Sequence, residues 1–242
     1  MYHAFGSPPE DGDPLNLTVA PNALQAQLDE LILRRWDVLS LGRYADSAGW
    51  ANRRRAVLIT IDDGYRSVAD VALPIFARLG IRPTVFVVPA LVGTSGVHPA
   101  VPGGELLDAA TLRAMACDGI DVGAHGWDHQ EMAGMSDAEL DLHTRGAREA
   151  VADICGVPPR AFAYPVGTFD DRARRAVERA GFDVAFSVHR DAGQFAVSRI
   201  DVNATDTVRS LRVKLLPNYR GLWRAIDRVP LVRPAIRRLA TR

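Results

Sequence analysis

With 242 residues, 48% of them hydrophobic, the chain is long enough to bury a full-size core in one α/β domain. Its 29 basic and 29 acidic side chains balance, which argues against a nucleic-acid partner. The first fifteen residues lack the apolar run of a secretory leader, and no stretch is apolar over the length of a membrane span. We therefore expect a cytoplasmic protein.

Short apolar runs alternate with amphipathic segments along the chain, which is typical of a parallel sheet covered by helices. The segment that begins at Ser136 carries a Ser-Asp-Ala-Glu capping box, and Gly80 and Gly181 are placed to end two other helices. Thr18 or Asn22 is expected near the start of the first helix. Helices are predicted over 21–35, 67–79, 106–118, 136–154 and 170–180, and strands over 56–61, 82–88, 119–124, 161–164 and 184–187.

Two of the apolar runs end in side chains that bind metals. The first run ends in Asp62-Asp63-Gly64, and the second ends in a segment that begins with His125 and closes with His129. Two imidazoles and one carboxylate can hold one face of a divalent ion and leave the other face open for water and substrate. Asp-Asp-Gly alone is more often a turn than a ligand set. Because each motif ends a predicted strand, we favour a mononuclear metal site.

Local geometry suggests how each motif works. Side chains alternate along an extended chain, so Asp62 and Asp63 are expected to point apart, one binding the ion and the other acting as a base. Gly64 allows a sharp turn after the strand. His125 and His129 are four residues apart and converge if that stretch forms a helical turn.

At this point the chain resembles the polysaccharide deacetylase (NodB-homology) family, carbohydrate esterase family 4. Residues 60–64 are similar to its Thr-Phe-Asp-Asp-Gly motif, residues 125–129 to its His-Ser/Thr-x-x-His motif, and residues 162–167 to the Tyr-Pro-x-Gly form of its third motif. The opening Met1-Tyr2-His3 resembles the start of one subgroup. The resemblance covers residues 1–216 and leaves 217–242 as a basic amphipathic extension.

The resemblance implies a distorted (β/α) barrel of about seven parallel strands. It also implies a metal-dependent hydrolase that removes acetyl groups from N-acetylated sugars, with a carbohydrate as its partner and Zn²⁺ as the expected ion. Asp62 would be the general base, and a main-chain N–H near Val166 would stabilise the oxyanion. The implied metal ligands are Asp63, His125 and His129, and the expected substrate-binding residues are Trp127, Tyr164 and Pro165.

The chain departs from the family pattern in two places. The arginine that many members carry in the third motif is Ala163 here, and the late Leu-x-His motif is missing from residues 197–201. Arg199 is a candidate to contact Asp62 from another strand. His3 is a candidate for the missing general acid, with His189 as a fallback, although a packed or solvent-facing histidine is an alternative role for His3.

Several alternatives stay open at this stage. An O-acetyl esterase, another carbon–nitrogen amide hydrolase and a non-catalytic glycan-binding domain all suit the same fold. Cys117 and Cys155 are interpreted as core residues, with a disulfide between them as the alternative. The extension 217–242 either packs its apolar face on the domain or makes a peripheral contact with an anionic membrane.

Overall fold

The computed structural model describes residues 1–8, 12–46, 55–95, 104–188, 190–217 and 219. Ten short strands alternate with eight α-helices in these ranges. The strands are β1 (Ala4–Phe5), β2 (Thr18–Val19), β3 (Asp37–Leu39), β4 (Ala56–Leu58), β5 (Thr60–Ile61), β6 (Thr84–Val87), β7 (Asp121–Ala124), β8 (Ala161–Ala163), β9 (Val184–Ser187) and β10 (Val197–Ser198). The helices are α1 (Pro21–Leu33), α2 (Leu41–Ala45), α3 (Leu73–Arg78), α4 (Ala109–Cys117), α5 (Asp137–Asp141), α6 (Ala147–Cys155), α7 (Asp171–Arg179) and α8 (Val208–Lys214).

The main sheet contains six parallel strands in the order β10-β9-β8-β7-β6-β5. All five pairings are parallel, so the strands end at the same edge. The pairs β1-β2 and β3-β4 form separate parallel sheets of two strands each. This curled parallel sheet confirms the predicted α/β class and the distorted barrel.

The amino-terminal segment joins the two edges of the main sheet. On one side, the Tyr2 N–H donates to the Thr60 carbonyl and the Asp62 N–H donates to the Tyr2 carbonyl, both at 2.9 Å. On the other side, the Met1 nitrogen donates to the Ile200 carbonyl and the Val202 N–H donates to the Met1 carbonyl, also at 2.9 Å. The segment therefore acts as a seventh strand between β5 and the residues that follow β10.

Close packing between β6 and β7 explains a glycine inside the sheet. A Cβ added at Gly123 would lie 2.5 Å from the Phe86 ring and 2.8 Å from the Ala161 carbonyl oxygen. Phe86 also packs edge-on against Phe186 of β9, with ring centroids 5.8 Å apart. Glycine fits at residue 123 because the Phe86 ring and the Ala161 carbonyl occupy the space where a side chain would lie.

The predicted helices are present, with two differences in detail. Helix α1 begins after Ala20 with Pro21 and Asn22 in its first turn, so Asn22 lies near its start as expected, but no side chain caps this helix. The capping box at Ser136 is confirmed. A π-helical turn, Leu142–Gly146, joins α5 to α6.

Three further expectations concern the cysteines, membrane-spanning helices and the carboxyl-terminal extension. Cys117 is exposed and Cys155 is buried, and both are free thiols, so they do not form a disulfide. Across the described ranges, no helix has both the length and the apolar character needed to span a bilayer. The extension 217–242, for which packing on the domain and contact with a membrane are both open, lies outside the described residues, apart from 217 and 219.

Candidate metal centre

The two neighbouring aspartates stand directly after β5, where the chain turns sharply. Asp63 and Gly64 both adopt left-handed conformations, with φ of 72° and 74°. The expectation that Asp62 and Asp63 point apart along an extended chain is therefore wrong, because Asp63 is not extended. A Cβ at Gly64 would lie 2.9 Å from Val87 Cγ1, so the turn also packs tightly against β6.

Asp63, His125 and His129 converge on one point. Asp63 Oδ1 lies 3.4 Å from His125 Nε2 and 3.3 Å from His129 Nε2. One ligand atom from each of the three side chains falls within 4.8 Å of the other two. Asp63 and His125 are buried, and His129 is partly exposed to solvent. Two imidazole nitrogens and a carboxylate at this spacing fit a divalent ion with open positions.

A main-chain carbonyl orients the first histidine. His125 Nδ1 lies 2.8 Å from the carbonyl oxygen of Ala163, so this nitrogen carries the proton and donates it. The lone pair of His125 is then on Nε2, which faces Asp63. Carbonyl contacts of this kind fix the tautomer of metal-binding histidines.

The second histidine reaches the cluster through an irregular loop. Gly126 and His129 have φ of 69° and 68°, so the predicted helical turn between the histidines is wrong. A Cβ at Gly126 would lie 2.8 Å from Pro165 Cγ, which shows how closely this loop approaches the third motif. Two left-handed residues, rather than a helical turn, bring His129 back towards His125.

Arg199 contacts Asp62, as the sequence suggested. Its two terminal nitrogens donate to Oδ1 and Oδ2 of Asp62, each at 2.6 Å. The guanidinium also donates to Thr60 Oγ1 at 3.2 Å and lies over the rings of Phe86 and Phe186 at 5.6 and 5.8 Å. A buried arginine thus holds the carboxylate of Asp62 in one orientation beside the cluster.

The pKa values of the buried groups reflect competition between burial and neighbouring charge. Burial raises the pKa of Asp62, but Arg199 and His125 outweigh it and leave this pKa below its usual value. Burial raises the pKa of Asp63, but the adjacent rings of His125 and His129 outweigh it and leave this pKa well below its usual value. Burial lowers the pKa of His125, yet the charges of Asp62 and Asp63 raise it overall. Both aspartates are therefore ionised at neutral pH.

His3 lies close enough to the cluster to interact with both aspartates. Burial lowers the pKa of His3, and the opposing charges of Asp63 and Asp62 only partly compensate. His3 Nδ1 is buried and has no hydrogen-bond partner in the described part of the chain. His189, the fallback candidate, lies outside the described residues.

The third motif contributes backbone rather than side chains near the site. Tyr164 is fully buried, and its hydroxyl donates to the Phe195 carbonyl at 2.8 Å, so its side chain packs in the core. Pro165 is buried against the loop of the histidines. Val166 has φ of 59° and is 56% exposed, and Trp127 is partly exposed.

Two contributors to the centre were not predicted. The Ala163 carbonyl orients His125, and the Thr60 hydroxyl accepts from Arg199. Every residue has a main-chain carbonyl, so the sequence gives no indication that the one at Ala163 has this role. Thr60 lies within the first motif, two residues before Asp62, which was the one available indication of its role.

Comparison with known proteins agrees with this geometry. The polysaccharide deacetylase family model matches residues 51–185. YxkH of Bacillus subtilis (strain 168), itself only provisionally assigned as a polysaccharide deacetylase, is 25% identical over 154 residues, which make up 62% of this chain and 52% of that protein. The chain thus spans about half the length of this relative.

Solved structures share the fold. The Streptococcus pyogenes deacetylase PplD, in complex with acetate, superposes with a TM-score of 0.76 at 20% identity, covering 90% of this chain and 96% of that one. IcaB from Ammonifex degensii gives a TM-score of 0.69 at 20% identity, covering 84% and 89%. Because the family match covers more than half of the sequence and includes both the Asp-Asp-Gly and the His-x-x-x-His segments, the chain belongs to the polysaccharide deacetylase family, a family of hydrolases.

Proposed function

We propose that this protein is a metal-dependent hydrolase that removes acetyl groups from N-acetylated sugars. One observation carries the proposal: the donor set of Asp63, His125 and His129 lies beside a second carboxylate, Asp62, that Arg199 holds in place. A protein that only binds glycans has no need of a base next to a metal site. Family membership supports the acetylated sugar as the substrate class.

Asp63, His125 and His129 would hold the ion, for which Zn²⁺ is our choice. Bound there, Zn²⁺ would polarise the acetyl carbonyl and lower the pKa of water. The low pKa of Asp62 makes it a weak base, so it suits a water that has been acidified in this way. Asp62 accepts the proton of the attacking water, while Arg199 keeps the carboxylate oriented towards it.

A main-chain donor completes the site for the tetrahedral oxyanion. We assign it to the N–H of Val166, because the next N–H, that of Gly167, already donates to the Tyr164 carbonyl at 2.9 Å. Val166 is left-handed and exposed, and Pro165 before it packs against the histidine loop at Gly126. An oxyanion donor of this kind needs no particular side chain.

His3 is the proposed acid. As the carbon–nitrogen bond breaks, the departing amine takes a proton from the His3 ring, which yields acetate and the free amino sugar. Since burial lowers the pKa of His3, the resting ring is mostly neutral at pH 7. The ring takes up a proton from solvent for each turnover, and Asp62 afterwards returns the proton of the attacking water to solvent. This low pKa also favours a second candidate, O-acetyl ester hydrolysis, since an alcohol leaving group depends less on the acid.

Acetate release and metal content, measured together, test the proposal. We expect the Zn²⁺-loaded protein to release acetate from N-acetylated oligosaccharides, and Asp62→Asn to bind Zn²⁺ equally well but lose that release. Asp118→Asn, a change at an exposed aspartate, is the matched control and should behave like wild type. Release from O-acetylated sugars alone would select the esterase. A metal-loaded protein that binds oligosaccharides without releasing acetate would refute the hydrolase.

A further inference from the structure

His143 is a buried histidine next to the candidate metal centre, although it belongs to none of the three motifs. Its side chain is 4% exposed. It lies in the π-helical turn Leu142–Gly146, between α5 and α6. Turns of this type occur frequently at functional sites because the extra residue redirects side chains from the helix.

The two ring nitrogens of His143 contact the loop between the metal-binding histidines. Nδ1 accepts a hydrogen bond from the Trp127 N–H at 3.3 Å, so Nδ1 carries no proton. The ring proton is therefore on Nε2, which faces Asp128 Oδ1 at 3.4 Å. Asp128 in turn accepts hydrogen bonds from the main-chain and side-chain nitrogens of Gln130, at 3.2 and 2.8 Å.

The conformation of His129 requires this kind of support. Its φ of 68° is unfavourable for a residue with a side chain, so the surroundings must hold it. The Trp127 carbonyl is fixed by the Ala90 N–H at 3.0 Å, and Gly126 packs against Pro165. His143 holds the loop from another side through its contacts with Trp127 and Asp128, the two residues directly before His129.

We infer that His143 is a positioning residue that fastens this loop, so that His129 points its Nε2 at Asp63. This inference rests on the proposed metal-binding role of Asp63, His125 and His129. Within the described part of the chain, the polar contacts of His143 are with Trp127 and Asp128, not with the ligands Asp63, His125 and His129. His143 therefore affects metal affinity indirectly, in the way that residues outside a coordination shell do when they orient the metal ligands.

Zn²⁺ affinity, measured by competition with a chelator, tests the inference. We expect His143→Ala to weaken Zn²⁺ binding by about 10–100-fold. His143→Asn keeps an acceptor near the position of Nδ1 and should recover part of this loss. Val151→Ala, a cavity-forming change in α6 directly after the π-helical turn, is the control: it should lower thermal stability but leave the affinity unchanged.

A second measurement works without metal and separates the outcomes. Amide hydrogen exchange over residues 125–130 of the metal-free protein should be faster in both His143 variants than in wild type and in Val151→Ala. Wild-type affinity or unchanged exchange in His143→Ala would overturn the inference but leave the proposed function intact. A wild-type protein that binds no Zn²⁺ would instead overturn the proposed metal centre.

Discussion

Replacement of Arg199 by methionine is expected to destabilise the protein strongly, because it leaves Asp62 charged and buried without a partner. Both side chains of this pair are almost fully buried, at 6% and 3% exposure, and two hydrogen bonds join them. Removing one partner of such a pair costs about 3–5 kcal/mol. In a domain of this size, that corresponds to a melting temperature lower by roughly 6–20 °C.

Urea unfolding of matched variants isolates the effect. Arg145→Met removes an arginine that pairs with two acids on an exposed helical surface, and it should change stability very little. The double variant Asp62→Asn/Arg199→Met should be more stable than Arg199→Met alone, since no buried charge is left unpaired. If Arg199→Met is no less stable than Arg145→Met, the reasoning about the buried pair is refuted.

The pH dependence of Arg199→Met follows from the two forces on Asp62. In wild type the pKa of Asp62 is lowered, so the pair stabilises the fold at any pH above the usual aspartate value, and this is lost only as the pH falls through the lowered pKa. Arg199→Met removes the main charge that opposes burial, so the pKa of Asp62 should be higher in the variant than in wild type. The stability gap between the variant and wild type should therefore narrow as the pH falls, because Asp62 takes up a proton at a higher pH in the variant than in wild type.

Further predictions concern the metal, the acid and the sheet. Chelation of the metal should abolish acetate release, and added Zn²⁺ should restore it; activity that survives metal-free dialysis would contradict the proposed centre. His3→Gln should slow release from N-acetylated sugars by about 10²–10⁴-fold but affect O-acetylated sugars less, as measured by steady-state kinetics. Gly123→Ala should cost about 1–3 kcal/mol in urea unfolding, since its new methyl group meets Phe86 and the Ala161 carbonyl. Gly42→Ala, in the helix α2 where the nearest atom is 3.6 Å away, serves as its control and should be neutral or stabilising.

The elements that carry the site were largely predictable from the sequence. The apolar runs before Asp62 and before His125 end at the edge where β5 and β7 end, and the three candidate ligands meet there. The contact from Arg199 to Asp62 was also anticipated, although the two residues are far apart in the sequence. Strand ends in a parallel sheet share an edge, so the order of the elements alone already constrains the site.

The local geometry of the site was not predictable. Asp63 and His129 are left-handed, and no local pattern in the sequence reveals this. The same turns contain Gly64 and Gly126, which pack closely on Val87 and Pro165 from other parts of the chain. The π-helical turn that places His143 lies inside an ordinary amphipathic pattern. Strands of two residues, such as β1 and β10, are too short to produce a recognisable alternation.

The segment Met1–His3 determines when, during folding, the barrel can close. It is hydrogen-bonded to residues near position 60 and near position 200, so the barrel closes only when the most distant parts of the chain have come together. The same segment carries His3, and β10, at one edge of the main sheet, ends directly before Arg199. Contacts over such long sequence separations form slowly. Catalytic competence should therefore appear as one of the final events of folding, and a chain arrested before closure would bury a core yet remain inert.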